Sequence, residues 1–120
     1  MALRAVKVLV DVDDVSGAAR FYSEVLGMQI TYDSADWGEL EFGTAAIGLH
    51  PGGDASKETW TPLSFTVDSL EELGESVVAA GGTIVTPPYD PGEGPFRLAT
   101  YADPENNRFM GRQDLEVGHA

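Results

Sequence analysis

"VLVDVDDVSGAARFYSEVLGMQI", residues 8–30, passes from one hydrophobic period to another and is repeated later in the chain. Val6, Val8, Val10 and Val12 recur at every second position on one face, the period of a strand. From Val15 the apolar positions are Val15, Ala18, Ala19, Tyr22, Val25 and Leu26, spaced by three and four as on one helix face. Asp14 is placed to cap that helix, and Gly27 supplies its left-handed exit. A shift of 55 positions without gaps lays this stretch on "LSFTVDSLEELGESVVAAGGTIV", residues 63–85. Val12, Asp13 and Gly27 then meet Val67, Asp68 and Gly82. The pattern returns with them: a strand presenting Leu63, Phe65 and Val67, then a helix on Leu70, Leu73, Val77 and Ala80. Ser69 with Glu72 three residues on forms a capping box, and Gly81-Gly82 ends the helix. A repeat of this size is a structural unit duplicated within one chain.

Three further strands complete each copy. They are "MQITYDS", "WGELEFG" and "AAIGLH" in the first, and "TIVTP", "FRLATYA" and "RFMGR" in the second. Before the last of these, "DPENN" at 103–107 reads as a turn: proline presets one turn position and asparagine tolerates the left-handed one. The insertion "PPYDPGEGP", residues 87–95, has the proline and glycine content of a rim loop. The expected fold is α+β, with two βαβββ modules (about 5–50 and 60–113) forming a curved eight-stranded sheet around a cleft, in a single domain over 1–120.

Composition removes several classes of function. Twenty acidic residues against seven basic ones give a formal charge of −13, which repels nucleic acid and anionic membranes. No apolar run approaches the roughly 20 residues that span a bilayer, and acidic residues arrive too early at the N-terminus for a signal peptide. A cytoplasmic protein is expected. With no cysteine, disulfides, thiolate catalysis and sulfur-bound zinc are excluded.

"DVDDVSGAARFYSEVLGM" after the first strand and "YADPENNRFMG" before the last, within a doubled βαβββ plan, resemble the vicinal oxygen chelate superfamily of glyoxalases, extradiol dioxygenases and bleomycin-resistance proteins. The resemblance implies four metal-ligand positions in its metalloenzymes, usually His, Gln or Glu, from the first and last strand of each module. Here they fall on Lys7, Gly48, Pro62 and Met110. A cation, two residues without a side-chain donor and a soft thioether do not suit a hard divalent ion. No metal and no cofactor are expected, and glyoxalase-type Lewis-acid chemistry is not expected either. The bleomycin-resistance branch implies a homodimer with binding grooves at the subunit interface.

Strand parity assigns the lining of the cleft. Lys7, Leu9 and Asp11 come from the first strand, Ala46, Gly48 and His50 from the fourth, and Pro62, Ser64 and Thr66 from the fifth. Arg108, Met110 and Arg112 come from the last, while Trp37, Trp60, Tyr32, Tyr89 and Phe96 are aromatic neighbours able to stack on a planar ligand. An inward Asp11 is expected to pair with Lys7. His50, Lys7 and Asp11 are the acid-base candidates, since histidine titrates near neutrality. His119 stands apart in the C-terminal tail. The expected function is sequestration of a small cationic or aromatic ligand without a metal. The alternative is a metal-free lyase or isomerase working through Lys7, His50 and Asp11.

Overall fold

The structure, a computed structural model, describes residues 1–116; His119 lies outside the described residues. The βαβββ plan occurs twice. The first module contains β1 (Val8–Val12), α1 (Val15–Leu26), β2 (Gln29–Asp33), β3 (Gly38–Phe42) and β4 (Ala45–Pro51). The second contains β5 (Thr59–Thr66), α2 (Leu70–Ala79), β6 (Thr83–Tyr89), β7 (Phe96–Ala102) and β8 (Asn107–Asp114).

Local chemistry accounts for the element ends. Asp14 accepts a hydrogen bond from the Gly17 amide at 3.0 Å and Ser69 from the Glu72 amide at 3.1 Å, each satisfying an orphan donor of a first helical turn. Gly27 leaves α1 at φ 70°, and Asn106 takes the left-handed place in the "DPENN" turn at φ 66°.

The eight strands are divided between two four-stranded sheets, ordered β1-β4-β3-β2 and β5-β8-β7-β6, with β1 and β5 beside each other at the centre. In both, the first strand of the module pairs in parallel with the last. Leu9 faces Gly48 and Ser64 faces Met110, so the offset of 55 relates the first strands of the two copies, while their last strands are 62 apart because the second copy is longer. At the outer edge, Pro87 and Pro88 in β6 remove amide donors from a strand that would otherwise recruit another.

One hydrophobic core runs beneath both sheets. Val10, Val12, Leu40, Ile47 and Leu49 of the first module join Leu63, Tyr101 and Phe109 of the second in it, and the Tyr101 hydroxyl donates to the Leu70 carbonyl of α2. Phe21 and Tyr22 of α1 meet Phe109 of β8, with ring centroids 6.3 and 5.9 Å apart, which ties the first helix to the second module. A polar tie crosses the same boundary. The Tyr22 hydroxyl donates to buried Asp103 at 2.7 Å, and Glu105 accepts from the Asp13 and Asp14 amides. The molecule is a plate with extents of 52 × 40 × 21 Å, the thickness of one helix layer on one sheet layer. Among the described residues no helix covers the other side of the strands, so the expected cleft is an open face.

Candidate functional site

Alternation along each strand decides what stands on that face. In β1, Val10 and Val12 are buried, while Leu9 and Asp11, and Lys7 just before the strand, lie on the other side. Phe109 and Gly111 of β8 face the core and Arg108, Met110 and Arg112 the open side. Ala46, Gly48 and His50 stand there from β4, as do Ser64 and Thr66 from β5. Trp60 pairs with Arg108 and Tyr89 with Leu98, which itself pairs with Arg112, so both aromatics share the face; each is exposed.

On the first sheet, Gly48 permits a close arrangement. A Cβ at this position would come within 2.6 Å of Leu9 Cδ2 and 2.9 Å of the Trp37 ring, so both side chains lie over the bare glycine. The Trp37 indole donates to Glu39 at 3.1 Å, and Lys7 donates to the same carboxylate at 2.6 Å. These two donors, Lys7 first, hold the Glu39 carboxyl below its ordinary pKa.

The Lys7 to Asp11 pair expected from sequence is therefore not formed. Residues 7 and 11 are four apart along an extended strand, about 13 Å, whereas Glu39 stands across the sheet from the lysine. Asp11 is not an inward carboxylate either: its side chain is 70% exposed, and its neighbour is His50, whose Nδ1 lies 3.6 Å from Asp11 Oδ1. Water solvates both groups, so neither needs a buried partner. Trp37 meets the His50 ring edge-on at 6.4 Å.

On the second sheet the arginines lie over aromatic rings. The Arg108 guanidinium lies 5.7 Å from the Trp60 ring centroid and that of Arg112 lies 4.0 Å from Phe96. Arg108 also donates to Glu58 at 2.6 Å, and Arg112 to Asp114 at 2.8 Å. The β5 to β8 register shifts between Trp60 and Ser64, and Pro62 lies within that irregular stretch, where a missing amide proton is tolerated. Sequence reasoning did not find Glu39 or Glu58. Their partners come from distant strands, and the only advance signal for Glu39 was that it shares β3 parity with the cleft side.

The donor set does not fit a divalent ion. Lys7 is an ammonium bound to Glu39, Gly48 and Pro62 offer no side-chain donor, and Met110 offers only a thioether. Among the described residues no group of three or more His, Asp or Glu side chains is placed to hold one.

Two βαβββ modules side by side, each with its helix on one face and its strands free on the other, define the fold shared by glyoxalases, bleomycin-resistance proteins and related dioxygenases. A glyoxalase-like domain family matches residues 7–110, and the chain belongs to that family. It is similar to a glyoxalase/bleomycin resistance protein/dioxygenase family enzyme from Burkholderia phytofirmans, at 25% identity and TM-score 0.74, covering 91% of this chain and 97% of that one. A superfamily member from Sphaerobacter thermophilus matches at 19% identity and TM-score 0.75, covering 94% and 98%. The genomically encoded fosfomycin resistance protein of Listeria monocytogenes matches at 17% and 0.75, covering 94% of each chain. The last two likenesses concern the fold alone.

Proposed function

We propose that the protein binds a small aromatic ligand on its open sheet face without a metal, in the manner of the bleomycin-resistance type. The observation that carries this reading is what stands at the four positions the fold offers to a metal. An ion-paired lysine, a glycine beneath Leu9 and Trp37, a proline and a methionine replace ligands there, and aromatic side chains surround them. In this reading Trp37 and Trp60 supply stacking surface, Met110 a polarizable contact, and Leu9, Ser64, Thr66 and Tyr89 the rest of the lining. A second copy of the chain closes the face, forming a homodimer.

Trp37 and Trp60 are the two tryptophans, so their emission reports on the site directly. Planar aromatic compounds are expected to change it saturably, protein analysed for metals is expected to hold substoichiometric amounts, and added Zn²⁺ or Mn²⁺ should leave the melting temperature unchanged. Stoichiometric metal, or no saturable change with any aromatic compound, overturns the reading.

One observation favours a second reading, a metal-free lyase or isomerase: His50 and Asp11 adjoin, with Lys7 on the same face. At 3.6 Å and more than half exposed, the His50 to Asp11 contact is too long and too wet to orient a base strongly. Under this reading His50→Ala abolishes turnover and leaves ligand affinity intact. The binding reading expects no turnover to lose.

A further inference from the structure

The cations of the open face are ion-paired, Lys7 with Glu39 on the first sheet and Arg108 with Glu58 and Arg112 with Asp114 on the second, where the two arginines flank Met110. In a chain of charge −13 with only seven Lys and Arg residues, two of them on one face of one strand run against the overall field. Arg108 is the better prepared. Its side chain is 20% exposed, its guanidinium lies over Trp60, and its strand pairs with β5 at an irregular register that sets Trp60 beside it. Yet its hydrogen bonding is incomplete. Nη2 reaches Glu58, whose side chain is 59% exposed, while the buried Nε has no partner among the described residues. A guanidinium presents Nε and Nη2 as a fork that a planar carboxylate fills with two parallel bonds, and Glu58 is bonded at one prong.

We infer that the ligand of this face carries an anionic group, a carboxylate or its equivalent, that displaces Glu58 and takes both prongs of Arg108, while its aromatic body lies over Met110 and Trp60. This rests on the binding reading above and names the ligand's charge. The acidic balance of the whole chain, which from sequence favoured a cationic ligand, acts at longer range and is screened by salt within about 8 Å at physiological ionic strength. A contact at Arg108 is not.

The test uses three probes with one aromatic body: 2-naphthoate, 2-naphthamide and 2-naphthylmethylamine, titrated into the full chain and followed by NMR at the Trp37 and Trp60 indoles and the Met110 methyl group. Naphthoate should bind about tenfold more tightly than the amide, the advantage of charge-assisted over neutral hydrogen bonds, and the amine most weakly. Arg108→Gln should erase the preference for naphthoate, and Glu58→Gln should strengthen naphthoate binding by removing its competitor. Arg97→Gln removes a cation that bonds Glu71 and Gln113, away from the site, and should change nothing. A purely structural Arg108 to Glu58 pair predicts that Glu58→Gln has no effect or weakens binding. If the amine or amide binds the face as tightly as naphthoate, the anion inference falls and the binding reading stands. If none of the three perturbs these signals, both fall.

Discussion

Asp103 shows how one side chain can hold two modules together. At 3% exposure its carboxylate accepts from the Tyr22 hydroxyl at 2.7 Å, the Asn107 amide at 3.0 Å, the Asn107 side chain at 3.1 Å and the Glu105 amide at 2.9 Å. Asp103→Asn leaves at least one buried donor unpaired, for a loss of about 2 kcal/mol, whereas Tyr22→Phe removes one bond and should cost about 1 kcal/mol. Urea denaturation measures both; a loss in the tyrosine variant equal to that in the asparagine one would mean that the turn amides do not depend on the carboxylate. The same phenol makes stability depend on alkaline pH. Burial first, and then the adjacent Asp103 carboxylate, raise the Tyr22 pKa well above its ordinary value. Burial likewise pushes Tyr101, which donates to the Leu70 carbonyl, up to about 12. Both folded values exceed the unfolded one, so the stabilisation is complete below about pH 10. It is lost as pH rises from there through the folded values, because the unfolded chain sheds its protons first. The urea midpoint should fall as pH rises from about 10 towards about 12, and less steeply in Tyr22→Phe. An equal slope in the two proteins would remove Tyr22 from this account.

Glycines separate two kinds of constraint on the elements. Gly27 ends α1 at φ 70°, and a Cβ added there would meet no atom within 4 Å, so Gly27→Ala meets only backbone strain of about 1 kcal/mol. Gly48 is limited by contact: Gly48→Ala drives a methyl into Leu9 and the Trp37 ring, costing about 1–3 kcal/mol. It should also shift tryptophan emission, which Gly27→Ala should leave unchanged; an unshifted emission in Gly48→Ala would show that the indole does not lie over the glycine. Gly27 could be read from sequence because helix exits follow a local rule. The role of Gly48 could not, since it depends on Leu9 and Trp37 arriving from β1 and the β2 to β3 connection. The rest of the fold divides in the same way. Strand alternation, both N-caps and the "DPENN" turn are local and were legible. Phe21 was missed because the narrow stripe through Ala18, Tyr22 and Val25 accounts for a helix packed on one layer, whereas α1 also touches α2 and the Phe109 ring. Sequence placed Lys7 and Asp11 on the right face and mistook their partners, since only the sheet brings Glu39 and His50 beside them.

At the scale of the whole molecule the surface is too large for the mass. A compact 12.8 kDa chain exposes about 6,300 Å² by the scaling of surface with size, and this one exposes 7350 Å². Its radius of gyration is 15.1 Å, against roughly 14 Å for a compact domain of this length. The excess, about 1,000 Å², is near the share one partner contributes to a standard interface. Part of it belongs to residues 1–7, which are exposed and precede the first strand, and part to the single sheet layer, which leaves one face bare with Leu9, Tyr32, Trp60 and Tyr89 exposed on it. On the opposite side the helices cover the strands. Sedimentation velocity should therefore give a species of twice the chain mass. Leu9→Arg, which puts a cation into the apolar part of this face, should weaken dimerisation at least tenfold, the worth of about one buried leucine. Its melting temperature should then depend less steeply on protein concentration, because less of the folded chain is held by association. A wild-type monomer at high concentration would overturn the dimer, while a dimer indifferent to Leu9→Arg would move the interface to another face and leave the ligand site open to solvent.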